Sequence, residues 1–406
     1  MLKAFAGFFR PKSKKDKFAN LVVRRMKARH VQGAISYNPE QFSLHLGEKT
    51  FFLDNAFDDW SKAEFAQKRL QVEHYIDGWF EVDETRSLAQ SLPHLLPAVR
   101  NRAELTNYYL DANLNFPRDS WDGAVQPLCD CLVVAVAEDR PKSLALLRRE
   151  KLLTWDTDYS TLLERAIRNL RAISPVNFVR EPGGYYVSNY NDHHDAARLL
   201  LTHLFEYLDL KGCPVVIPVA RNGIVVAGSD DNPALIEMAR FAVLNVEQET
   251  RSIAYQPLIL INGQWSKFSP EDPDLQPVRD LAVRQTLWDY ERCRENMQKF
   301  CESQGRDVWV SKLEAHRFGE ASIKTLTTWA TASLLAKSDA IAFLAAGKFV
   351  VRSWDDVISV CGQDWTEEDC YPVRYFTKTG PSEEQLKVLE KGFNPPSWAP
   401  DMRRGA

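Results

Sequence analysis

No apolar run in this 406-residue chain approaches the roughly 18 residues that a membrane-spanning helix needs. A CxxC pair is also missing. The seven cysteines, at 129, 131, 213, 293, 301, 361 and 370, have no zinc spacing and read as reduced thiols of a cytoplasmic protein. Cys129 and Cys131 would share one face of a strand, which reads as buried thiols rather than a redox or metal pair. There is no basic excess either. The formal net charge is −4, so no specific nucleic-acid partner is expected. Neither GxGxxG, GxSxG nor HExxH occurs, and Gly347-Lys348 lacks the flanking residues of a phosphate-binding loop. Each absence removes an enzyme class that leaves a local mark, whereas folds with dispersed catalytic residues stay open. No cofactor is expected.

The composition that remains, 45% apolar and 26% charged, is that of an ordinary globular protein, and the length implies two domains. Residues 1–17 read as a flexible basic tail, its apolar patch preceding its lysines, the reverse of a secretory signal. At most it makes a weak membrane-surface contact through Phe5, Phe8 and Phe9 with Lys12, Lys14, Lys15 and Lys17. A helix over 18–32 carries Arg24, Arg25, Lys27, Arg29 and His30, a solvated face or one that meets an anionic partner. Short strands follow around "YNPEQ" and "GEK". Ser61 and Glu64 stand at capping-box spacing ahead of a helical face of Phe65, Val72, Ile76 and Trp79.

"LLPAVRN" and "CLVVAVAED" read as strands, "SLALLRREKLLTW" as a strand pair, and 158–172 as a helix. A hairpin turns at Gly183-Gly184, a helix spans 193–210, and two further hairpins turn at Asn222-Gly223 and Asn262-Gly263. Asn232 with Pro233 reads as a capped helix start, with Leu235, Met238, Ala239 and Ala242 inward. The proline-rich 269–277 reads as a linker between a domain at 18–268 and a smaller α+β module at 278–392. That module opens with a long charged helix over 277–304, and a proline-rich tail, 393–406, ends the chain. The fold class is α+β: hairpin-plus-helix units forming mixed sheets packed by helices.

The marks "RNLRAISP" (168–175), "NDHHDAARLL" (191–200), "PVVIPVARNGIVVAG" (214–228) and "LILINGQWSKF" occur in an order that resembles the YtpQ family of bacterial proteins. The resemblance covers residues 20–268 and rests on Asn169, Leu170, Arg171, Asp192, Asp195, Ala196 and Arg198. The family has no assigned activity and lacks the histidine pair, so the resemblance implies kinship without a mechanism.

That pair, His193 and His194, lies between Asp192 and Asp195. Adjacent residues on a helix project about 100° apart and do not converge on one ion, so the pair reads as a solvent-facing helix start rather than a metal site. Asp192 reads as the N-cap, and Asp195 complements the positive helix end. Arg198, amid apolar neighbours, requires a carboxylate partner, either Asp195 or Asp192; the alternative is contact with a substrate anion. Tyr186 and Tyr190 would line a groove beside it. Arg221 reads as a solvated turn residue. The leading expectation is a non-catalytic binding or interaction protein with a protein or small-molecule partner. The alternatives are a hydrolase or nuclease using dispersed carboxylates around Asp192–Arg198, and a peripheral membrane-surface protein.

Overall fold

The computed structural model describes residues 13–39, 41–47, 49–80, 86–111, 125–140, 143–190, 192–249, 251–318, 322–345 and 348–399. The expectations for Phe5, Phe8, Phe9, Lys12 and Gly347 lie outside them. The class is α+β, and the chain divides into two compact units: Met1–His94 with Glu138–Ala145, and Leu95–Ala137 with Leu146–Ala406. Among the described residues, no helix is long and apolar enough to cross a membrane.

The first unit begins with α1 (Lys14–Ala28), which therefore takes in four residues of the expected tail. The Ser13 hydroxyl and the Asp16 carboxylate satisfy each other's backbone amides, a capping box that fixes where the chain winds up. A meander of β1 (Ile35–Asn38), β2 (Ser43–Leu46) and β3 (Lys49–Phe52) follows, then α2 (Asp54–Lys62), α3 (Lys68–Trp79) and α4 (Leu88–Ser91). Its core is aromatic, with Phe18 ringed by Phe42, Phe57 and Trp60, and Phe51 against Trp79. The expected capping box at Ser61 does not form. Ser61 lies in the last turn of α2, its hydroxyl donating to the Asp58 carbonyl. The helix breaks at 63–67, so Phe65 is 94% exposed while Val72 and Ile76 are buried as expected.

The second unit runs through β4 (Leu95–Asn101), α5 (Arg102–Asp111), β5 (Val125–Cys129), β6 (Leu132–Asp139) and β7 (Leu144–Leu146), of which Glu138–Ala145 count with the first unit. Then come α6 (Arg149–Thr154), where a second strand was expected, and α7 (Tyr159–Ala172), capped by Asp158. An antiparallel six-stranded sheet follows, ordered β13-β12-β10-β11-β9-β8. Its strands are β8 (Phe178–Arg180), β9 (Tyr186–Ser188), β10 (Pro214–Ala220), β11 (Gly223–Gly228), β12 (Leu258–Ile261) and β13 (Gln264–Lys267). Asn262 and Gly263 take the positive φ their hairpin needs; in the earlier hairpin the loop is Arg221-Asn222, and Gly223 already belongs to β11.

Helix α8 (Asn232–Gln248) lays Leu235, Met238, Ala239 and Ala242 on this sheet. Its N-cap is Asp231 rather than Asn232, because the Asp231 carboxylate accepts from the Ala234 amide while Asn232 donates to Asp272. The stretch 269–277 is not where the compact units divide. Its Leu275 joins Val278 and Leu281 of α9 (Gln276–Ser303) in the same core as Val215 and Leu235. Gly228 is needed for close approach, since a Cβ there would stand 2.1 Å from the Lys211 carbonyl oxygen. Gly228→Ala is expected to destabilise by roughly 1–3 kcal/mol or more, because backbone meets backbone and neither side can rotate away. Urea unfolding checks this; a wild-type midpoint would contradict the clash.

Beyond α9 lie two mixed sheets, β14-β17-β21-β20 and β15-β16-β18-β19. They are built from β14 (Trp309–Val310), β15 (Leu313–Phe318), β16 (Ser322–Trp329), β17 (Ser333–Ala336), β18 (Ala340–Ala345), β19 (Lys348–Ser353), β20 (Thr366–Glu367) and β21 (Arg374–Thr377). Helices α10 (Trp354–Cys361) and α11 (Glu383–Gly392) cover one face around Trp329 and Phe343. The expected C-terminal tail is docked in part, with Phe393 against that core and Trp398 and Ala399 against Leu326 and Ala342.

Candidate functional site

The helix expected over 193–210 is instead two 3-10 segments, Asp195–Leu200 and Thr202–Tyr207. At three residues per turn, positions three apart lie in line, and Asp195, Arg198, Leu201 and Leu204 are all buried. The entry to this ridge is a tight turn. Asp192 Oδ1 accepts from the His194 amide at 3.0 Å, and His193 adopts a left-handed φ of 61°. Asp192 thus closes a local turn rather than capping an α-helix.

Arg198, fully buried, is held on all sides. Its guanidinium makes a forked pair with Asp192 (Nη1–Oδ1 2.9 Å, Nη2–Oδ2 2.6 Å), and Nε donates to the Ser174 hydroxyl at 2.9 Å. The plane lies 3.5 Å from the centre of the Tyr190 ring, which meets Phe178 edge-on. Burial by itself would raise the Asp192 pKa. The Arg198 and His194 hydrogen bonds and the Arg198 charge outweigh it and hold the carboxyl below its usual range. Asp192 is the hydrogen-bonded partner of Arg198. Asp195 is fully buried, and neither of its oxygens has a hydrogen bond of good geometry, although the Ser188 hydroxyl and Tyr190 amide are close polar neighbours. Burial pushes its pKa up.

The remaining sequence candidates are not brought together. Tyr186 reaches the other way, toward the Asp209 carbonyl and under Arg180. The histidines part company: His193 is exposed, whereas His194 is buried, contrary to the expected solvent-facing pair. Among the described residues, no group of three His, Cys, Asp or Glu side chains is arranged to hold a metal ion.

The first unit holds a groove of about 650 Å³ between α1 and α3, lined by Arg25, Ala28, Arg29, Ala66, Arg69, Leu70 and Glu73. Arg25 and Arg29 reach Glu73, and Arg29 also pairs with Asp77, so the cationic face of α1 is tied to α3 rather than wholly solvated. Those pairs leave Arg69 and the apolar Leu70, 68% exposed, along the groove; Phe65 precedes the lining residue Ala66.

A further polar centre escaped the sequence reading. Asp289 of α9 is buried and accepts from Tyr371 Oη (2.7 Å), Gln285 Nε2 (2.7 Å) and Asn101 Nδ2 (3.3 Å). Arg102 lies 4.4 Å above the Tyr371 ring. Burial, only partly offset by the three donors, raises the Asp289 pKa to about 7. The signal was available, since Gln285 and Asp289 fall on the buried stripe of Val278, Leu281, Cys293 and Met297. Comparison with protein-family models, with curated proteins and with solved structures finds no match to this chain.

Proposed function

We propose that the chain is an interaction protein whose first unit takes an acidic, partly apolar segment of a partner protein in the groove between α1 and α3. One observation carries this reading: Arg69 and the exposed Leu70 lie side by side on a concave surface whose other arginines, Arg25 and Arg29, are paired with Glu73 and Asp77. An arginine fork fits a carboxylate in two-point fashion, and an exposed apolar side chain beside it supplies area that a peptide can cover. The forked Asp192–Arg198 pair supports it from the other side, because both groups already have strong partners within the fold and neither stands ready as a general base or anion hook.

The test uses a fluorescein-labelled helical peptide of Glu and Leu at four-residue spacing, titrated with the full chain and followed by anisotropy. Saturable binding is expected, weakened about tenfold or more by Arg69→Glu with Leu70→Ser, two exposed changes that leave the core intact. Equal binding of a Lys-for-Glu counterpart, or an unaltered affinity in the double variant, would overturn the proposal.

A further inference from the structure

A cavity of about 260 Å³ lies within the second unit, where α8, α9 and the β15–β16 hairpin meet. Three arginines line it: Arg240 from α8, Arg284 from α9 and Arg317 from β15. Among the described lining residues the single acid is Asp280. Val243 and Pro277 give the lining an apolar part.

The fold sets these walls firmly. Gln276, Asp280 and Arg284 stand four residues apart and so share one face of α9. Asp280 Oδ1 accepts from Gln276 Nε2 at 2.7 Å and from the Ile323 amide at 3.4 Å. The acid therefore braces the hairpin against the helix. Ile323 is the ladder partner of Arg317, which brings that arginine to the same stretch of α9. Arg279, on the neighbouring turn, is fully employed elsewhere. Its guanidinium bonds the Pro270, Asp272 and Pro273 carbonyls and the Gln276 side-chain oxygen.

The three lining arginines differ in how they are held. Arg317 is exposed and has no hydrogen bond or ion pair among the described residues. Arg284 meets Glu247 at 3.3 Å, and Arg240 meets Glu237; both acids are about half-exposed and lie outside the cavity lining. Water-exposed pairs of this kind contribute little, so an incoming anion can replace them at small cost. It gains Arg317 outright. The volume falls just below the roughly 300–1,000 Å³ usual for small-molecule pockets, so the occupant is compact. Guanidinium groups on three separate elements suit more than one oxyanion on that occupant.

We propose that this cavity binds a compact polyanion, a small molecule bearing two or more carboxylate or phosphate groups. Arg317 takes one such group, and Arg284 and Arg240 take the rest, each presenting paired N–H donors to two oxygens. Val243 and Pro277 border the carbon part of the ligand. Asp280 works against affinity, because its charge repels the ligand whose walls it holds in place. The site shares no residue with the groove between α1 and α3.

Calorimetric titration of the full chain with citrate and with pyrophosphate, each against acetate at equal ionic strength, tests this. Saturable binding of at least one polyanion is expected, and none of acetate. Arg317→Gln, an exposed change, should raise that Kd about tenfold, the loss typical of one charge-assisted hydrogen bond. Asp280→Asn keeps an oxygen that accepts from Gln276 and Ile323 while removing the repelling charge, and should lower the Kd about threefold. Arg69→Glu with Leu70→Ser should leave it unaltered. The proposal fails if neither polyanion outperforms acetate, or if Arg317→Gln binds like the wild type. It fails equally if a folded Asp280→Asn variant does not bind more tightly, or if the groove variant is the one that weakens binding. Should Asp280→Asn not fold, Arg317→Gln decides.

Discussion

Asp289→Asn is expected to flatten the pH dependence of stability between roughly pH 4 and pH 7, removing a slope worth about 4 kcal/mol. The folded chain holds this carboxyl's proton up to about pH 7, well above the ordinary range of an aspartate. A group whose folded pKa is raised stabilises fully below its unfolded pKa. That contribution is lost as the pH rises through the folded value. Wild type should therefore weaken steadily from pH 4 to 7, because the unfolded chain gives up this proton while the folded chain still holds it. The Tyr371, Asn101 and Gln285 donors soften this cost without cancelling it. Carboxyls held low, such as Asp192 and Asp231, act in the opposite sense and at lower pH, so the two windows separate. Urea unfolding at pH 5 and pH 8 decides the matter: parallel losses in wild type and variant would show that Asp289 is ionised throughout.

The second large effect is an asymmetry within one ion pair. Asp192→Ala leaves the Arg198 guanidinium in the interior with only the Ser174 hydroxyl and a longer contact to the Ile173 carbonyl, and should cost about 3–5 kcal/mol. Arg198→Met removes the charge that has no access to water and fills its volume with apolar atoms. Asp192 keeps 31% of its side chain exposed and can take up water in exchange, so this change should cost only about 1–3 kcal/mol. The double variant should fall well short of the two losses added together. Denaturant midpoints of the three variants measure this. Equal single losses, or strict additivity, would mean that the pair is not what holds the turn.

Both effects bear on what the sequence makes visible. Local chemistry was legible in part. Asn262-Gly263 marks a turn, and Leu235, Met238 and Ala242 recur at helical spacing on a buried face, whereas the capping box expected at Ser61 does not form and the cap expected at Asn232 falls to Asp231. The need of Arg198 for a carboxylate was equally plain from its apolar surroundings. What was hidden depends on period and on distance along the chain. The 193–210 segment contains apolar residues in every register, so spacing did not separate a helix of 3.6 residues per turn from one of three. Only the turn at His193 and the bond from Ala196 to Arg221 decide it. Arg25 and Arg29 of α1 find their acids on α3, more than forty positions away, and no local pattern announces that. Arg221 looked like a solvated turn residue, yet it is half-buried and its acid, Glu104, lies more than a hundred residues earlier.

The apolar face of the six-stranded sheet is finished by Leu275, Val278 and Leu281, which lie beyond residue 268. In evolutionary terms, the front and rear portions of this gene are not freely exchangeable parts. A recombination event at codon 268 would hand the front portion to a descendant with an oily surface uncovered, prone to clump before it could be put to any use. Whatever the rear portion contributes by way of activity, it has first been kept as the other half of a shared interior.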